Sequence, residues 1–141
     1  MKRLHLFEIH EQNWCPTAIK DAVRDGLFTA WKILYWKKAL PHLLDLLSKS
    51  EHDQLIDLCS GAGGPLPLLV PKLKKIHPSL QVYLSDFYPC TKWTNPMGEE
   101  SQLQYIPTSI DAKNVPKELQ GPRTLFESFH HFTPVESLGI L

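Results

Sequence analysis

Cysteine is scarce in this 141-residue sequence, which holds only Cys15, Cys59 and Cys90, far apart and odd in number. That count excludes a complete disulfide framework and provides no paired spacing for a zinc site, so a reducing, cytoplasmic setting is expected. Excess charge is also missing. Fifteen Lys and Arg balance fifteen Asp and Glu, which leaves no field to draw in nucleic acid or an anionic membrane. No apolar run approaches the roughly 18 residues of a membrane span, and Glu8 arrives before a signal-like stretch could form. A soluble protein without nucleic-acid or membrane partners is expected. His5, His10, His130 and His131 do not fall at ligand spacing, so no metal site is expected either.

What is present is enough apolar material for a core, at 43% hydrophobic residues, within a length that suits one compact unit. Its centre is Asp57-Leu58-Cys59-Ser60-Gly61-Ala62-Gly63-Gly64-Pro65, preceded by Gln54-Leu55-Ile56. A short apolar run with an acid at its end, then small residues and glycines, then a proline suited to a first helical turn, reads as strand, tight turn, helix. Such a turn aims the free N–H groups of the next helix at whatever sits above the strand end.

Upstream, residues 4–16 read as an extended lead-in. From Thr17 the pattern turns helical, with Ala18, Ala22 and Val23 at helical spacing. Gly26 is expected to bend or break this helix. Leu27, Trp31, Leu34 and Tyr35 carry the stripe to Pro41, and Leu43, Leu44, Leu46 and Leu47 predict a further helix ending near Ser48. Trp31 and Trp36 fit core packing better than ligand stacking. Residues 1–50 thus read as a helical cap and 51–141 as the sheet-bearing part.

Beyond the glycine turn, Leu66, Leu68, Leu69, Leu73 and Ile76 predict a helix that Pro71 should bend or shorten. Leu80 to Asp86 is a second strand with an acid at its end, placed to accept hydrogen bonds from a ribose diol. Residues 90–102 predict a weak helix at best. Leu103 to Ile106 is a third strand, with Asp111 beyond it as an acceptor for an adenine amino group or as a turn cap. Arg123 to Phe129 is a fourth strand or its run-out, and Thr133-Pro134-Val135-Glu136 is a capped helix start. His130 and His131 fit a surface turn and a packing position; a general base or a pocket-lining group is the other reading of the pair. A dinucleotide is disfavoured because Leu66 stands where a further glycine is needed, and a nucleoside triphosphate because no Gly-Lys-Ser/Thr follows the glycines.

Asp57 to Gly64, Asp86 and Ser109-Ile110-Asp111-Ala112, in that order, resemble the first three motifs of class I S-adenosylmethionine-dependent methyltransferases. Phe7-Glu8, Gln12 to Pro16, Leu55 to Gly61, Asp111 to Pro116 and Phe129-His130-His131-Phe132 are similar to an uncharacterised branch of that superfamily. The resemblance covers nearly the whole chain. It implies an α/β, Rossmann-like, mostly parallel sheet behind a helical N-terminal cap, and S-adenosylmethionine as cofactor. Asp57, Gly61 and Gly63 would lie under its methionine part, Asp86 would hold the ribose hydroxyls, and Asp111 would sit near the adenine. Cys59, Ser60, Phe87, Ile110 and Ala112 complete the implied cofactor site. Cys59 stands where many members carry glycine.

About four strands are legible against the seven of the methyltransferase sheet, so the cofactor half is expected and the substrate half is not. The leading expectation is methyl transfer to an unidentified acceptor, with no catalytic residue assigned. The alternative is a truncated, catalytically silent cofactor-binding or interaction module, whose bare fourth-strand edge would favour self-association.

Overall fold

The computed structural model describes residues 14–61, 63–89 and 103–140. Most of the expected lead-in over 4–16 and all of the stretch 90–102 lie outside them. Four strands, β1 (Gln54–Asp57), β2 (Gln81–Leu84), β3 (Leu103–Tyr105) and β4 (Arg123–Thr124), form one sheet in the order β3-β2-β1-β4. Every pairing is parallel: Ile56 lies between Tyr83 and Arg123, and Tyr83 faces Gln104. The architecture is α/β and Rossmann-like, with helical structure at the N-terminal side.

The two-residue alternation of the strands divides the core. Leu55, Val82, Leu84, Leu103 and Tyr105 point to one face, where Leu43 and Leu47 of α2 (Trp36–Ser48) and Leu66, Leu69, Val70 and Leu73 of α3 (Leu66–Leu73) cover them. Those four α3 positions are spaced i, i+3, i+4, i+7, the stripe a core-facing helix needs. Ile56, Leu58 and Tyr83 point to the other face, against Ile110, Ala112, Val115, Leu119, Phe132 and Ile140. That second face is closed by the irregular chain linking β3 to β4 and by α4 (Pro134–Ile140).

The N-terminal helical run differs from expectation. Thr17–Ala30 (α1), a π-helical turn over Trp31–Tyr35 and α2 follow without interruption, so neither Gly26 nor Pro41 ends a helix. Pro41 and Lys37, the residue whose carbonyl loses its partner, are both exposed, where water can take the bond. The Trp36 N–H donates to the Trp31 carbonyl five residues back. This wider turn offsets the apolar stripe before it from the stripe after it. Only Leu43 and Leu47 of the run are buried among its described side chains, while Leu27, Leu34 and Tyr35 are exposed. Trp31 instead sets its ring edge-on against Phe126, with centroids 5.5 Å apart, and Trp36 packs beneath the Lys72 ammonium.

α3 runs through Pro71 and stops at Leu73, so Ile76 lies beyond it, exposed. The fourth strand is only two residues long and lies at the sheet edge, followed by a 3-10 turn over Phe129–His131. The start of α4 is capped as its sequence predicts. Thr133 Oγ1 accepts from the Glu136 N–H, and the Glu136 carboxylate accepts from the Thr133 N–H at 2.9 Å. No helix among the described residues is long and apolar enough to cross a membrane.

Candidate functional site

Chain order and strand order together define where a ligand would sit. From β1 the chain steps outward through β2 to β3, then returns to place β4 on the other side of β1. The loops after β1 and β4 therefore diverge and leave a crevice above the carboxyl ends of the strands. A cavity of about 690 Å³ occupies that end, lined from all four post-strand loops: Cys59 and Gly61; Asp86, Phe87 and Tyr88; Asp111, Ala112 and Lys113; Ser128, His131 and Phe132. This volume is within the roughly 300–1,000 Å³ typical of small-molecule sites.

The loop after β1 is made by backbone that few residues adopt. Cys59 has φ +54°, Gly61 +50° and Gly63 +94°. At Gly63 a Cβ would lie 3.3 Å from Leu84 Cδ1 and 3.6 Å from Pro67, so glycine here lets α3 close onto the sheet. The turn N–H groups are already engaged. Gly61 donates to Asp86 Oδ2 at 2.9 Å, and Gly63 donates to the Ser60 carbonyl at 2.7 Å. The expectation of free helix-terminal N–H groups facing the ligand is thus not met at these two positions, because local turn closure and Asp86 take them first.

Asp57 is 1% exposed and does not line the cavity. Its Oδ1 accepts the Thr124 hydroxyl at 2.7 Å, which ties β1 to β4. Burial pushes its carboxyl up to about 7 against the lowering effect of the Thr124 and Ser60 hydrogen bonds. Ser60 is also internal: its hydroxyl and that of Ser85 both donate to the Asp57 carbonyl, at 2.8 and 2.9 Å. Ile110 is buried in the second core, and its N–H donates to the Asp86 carbonyl at 2.9 Å. Asp57, Ser60, Gly63 and Ile110 therefore build the walls, whereas Cys59, Gly61, Asp86, Phe87, Asp111 and Ala112 are brought together on the cavity surface.

Asp86 is clamped: Oδ2 takes the Gly61 N–H and Oδ1 takes the Tyr88 N–H at 2.8 Å. A carboxylate has about four acceptor positions, so two remain for a ligand. Asp111 Oδ1 accepts the Lys113 N–H at 2.9 Å, a turn that fixes the carboxylate at the cavity wall. The Lys113 ammonium lies 3.1 Å from Glu136, which raises its pKa and helps hold the Glu136 carboxyl down at about 2, after the larger effect of the Thr133 N–H. Burial, and then the charges of Asp86, Asp57 and Asp111, push the Cys59 thiol up to about 11. It stays a neutral thiol at neutral pH and is not a nucleophile there.

Tyr88, Lys113, Ser128 and Phe132 line the cavity without having been singled out as ligand contacts, and His131 takes the pocket-lining place that was one reading of the histidine pair. Tyr88 and Lys113 each lie two residues past a singled-out acid, a proximity that was available as a signal. Ser128 donates to the Cys59 carbonyl at 3.2 Å, a contact across the crevice that no local pattern encodes. Among the described residues no group of three or more metal-ligating side chains comes together. Comparison of the chain with protein-family models, curated proteins and solved structures found no match.

Proposed function

We propose that the chain binds S-adenosylmethionine in this cavity and belongs with the class I methyltransferases, transferring the methyl group to an acceptor not yet identified. One observation carries the reading: two clamped carboxylates, Asp86 after β2 and Asp111 after β3, line a cavity at the strand ends beside the glycine turn. The spare acceptor positions of Asp86 suit a vicinal diol, and Asp111 suits an exocyclic amino group. Phe87, 48% exposed and edge-on to Tyr88 at 4.9 Å, gives an adenine an aromatic neighbour.

When bound, the cofactor would supply a methyl group on a sulfonium, ready for in-line displacement. The chain's own part is to hold the nucleoside and exclude alternatives to that alignment, and positioning of this kind lowers a barrier substantially. Asp86 binds and orients, and Gly61 keeps that carboxylate in place. Calorimetry tests the reading: wild type should form a complex with S-adenosylmethionine or S-adenosylhomocysteine. Asp86→Ala should weaken it by about tenfold or more, the worth of a hydrogen bond to a charged group. No heat with either ligand would refute the proposal.

A further inference from the structure

On the footing of that reading, we infer that Ser128 is a positioning residue for the ligand. Its hydroxyl clasps the loop after β4 to the loop after β1 across the crevice, and so sets the width of the end of the cavity that receives whatever the nucleoside carries at its 5′ carbon.

Pairing of β1 with β4 reaches no further than Asp57 opposite Thr124, where the Leu58 N–H donates to the Thr124 carbonyl at 2.8 Å. Beyond that point the two chains part, and the Ser128 hydroxyl reaches back to donate to the Cys59 carbonyl at 3.2 Å. This bond joins two strained segments. Among the described residues, the non-glycines of positive φ are Cys59, at +54°, and Glu127, at +59°. One accepts the bond, and the other immediately precedes its donor. Left-handed backbone without glycine is unfavourable, persists only where its surroundings hold it, and gathers at ligand clamps. Here two such residues converge on one hydrogen bond from opposite walls of a cavity that Cys59 and Ser128 both line.

The clasp can also yield. A hydroxyl has one proton, and the Phe126 carbonyl lies 3.1 Å from the same oxygen, so the proton can turn to Phe126 and release Cys59 without leaving a donor unpaired. The loop after β2 is held differently, from both sides. Its Asp86 and Phe87 carbonyls accept the Ile110 N–H at 2.9 Å and the Ser109 hydroxyl at 2.6 Å, while the Asp86 carboxylate accepts the Gly61 N–H. The end of the cavity that carries Asp86 and Asp111 is thus fixed, and the end between the loops after β1 and β4 is adjustable. An adenine beside Asp111, after β3, and a ribose on Asp86, after β2, would lie along the strand row β3-β2-β1-β4. The 5′ arm would then run on to the adjustable end, between Cys59 and Ser128. An arm touching both loops favours the closed clasp, whereas a bare nucleoside does not reach it.

Calorimetry with S-adenosylhomocysteine and adenosine on wild type, Ser128→Ala and Ser128→Thr tests this. Ser128→Ala should weaken S-adenosylhomocysteine about fivefold to tenfold, the worth of one hydrogen bond, and adenosine by less than about twofold. Retained adenosine binding also shows that the variant is folded. Ser128→Thr keeps the hydroxyl and should restore the affinity for S-adenosylhomocysteine. In wild type, amide exchange over Phe126, Glu127 and Ser128 should slow with S-adenosylhomocysteine and not with adenosine, a comparison that decides alone if Ser128→Ala does not fold. Equal losses of the two ligands in Ser128→Ala would give Ser128 a merely structural role and overturn the inference. An unchanged affinity for S-adenosylhomocysteine in that variant, a threonine variant as weak as the alanine one, or exchange indifferent to S-adenosylhomocysteine would overturn it too, with the cofactor reading intact. Wild type that binds neither ligand would instead remove the reading beneath it.

Discussion

Asp57, at the carboxyl end of β1, serves the fold. Its carboxyl is buried and pushed up to about 7, well above its value of 3.8 in an exposed chain. Between those values the folded state binds more protons than the unfolded state, so this group's contribution to stability is fully present below about 4 and is lost as pH rises to about 7. Wild type should therefore lose of the order of a few kcal/mol over that window relative to Asp57→Asn, which has nothing to titrate. Urea denaturation of both at pH 4.5 and pH 8 checks it; parallel pH profiles would contradict it. Cys59 makes the opposite case. It holds φ +54°, a backbone conformation that favours glycine, so Cys59→Gly should relieve about 1 kcal/mol of left-handed backbone strain. A higher urea midpoint is the expected result.

At the scale of elements, the short β4 depends on the loop that delivers it. Gly121, with φ +120°, sits so close to β1 that a Cβ would lie 2.7 Å from the Gln54 carbonyl oxygen. Gly121→Ala combines a forbidden backbone angle with a backbone collision, and should cost of the order of 2–4 kcal/mol in denaturant unfolding. α4 depends on charge instead. The Glu136 carboxyl is held at about 2, so the cap it forms with Thr133 persists above the ordinary carboxylate range and is lost as pH falls toward 2. Amide-exchange protection at Thr133 and Glu136 should fall as pH drops toward about 2 while that of β1 and β2 holds. Both devices differ in how far the sequence discloses them. Thr133-Pro134-Val135-Glu136 is a local cap, written within four residues. Gly121 answers to Gln54, far away in the chain, and Pro41 sits inside a helix because its solvent-facing side lets water replace the lost bond. Neither is visible in a window of neighbours.

For the molecule as a whole, the parallel sheet was legible because each strand is a short apolar run ending at an acid or a turn: Gln54 to Asp57, Leu80 to Asp86, Leu103 to Ile106. The lining of the cavity was legible in part for the same reason, since Cys59, Gly61, Asp86 and Asp111 all follow strand ends. The remainder is set by partners distant in sequence. Thr124 decides that Asp57 faces inward, and Ser128 and His131 reach the cavity only because β4 returns to the side of β1. The π turn over Trp31–Tyr35 likewise comes from no period that an apolar stripe records, and it leaves Leu27 and Leu34 exposed where the stripe pointed to burial. The proposed ligand sits over the strand ends between Asp86 and Asp111. A crystal structure of the protein with S-adenosylhomocysteine should show the ribose hydroxyls on the Asp86 carboxylate and the adenine beside Asp111; a ligand bound away from both carboxylates would rule that seat out.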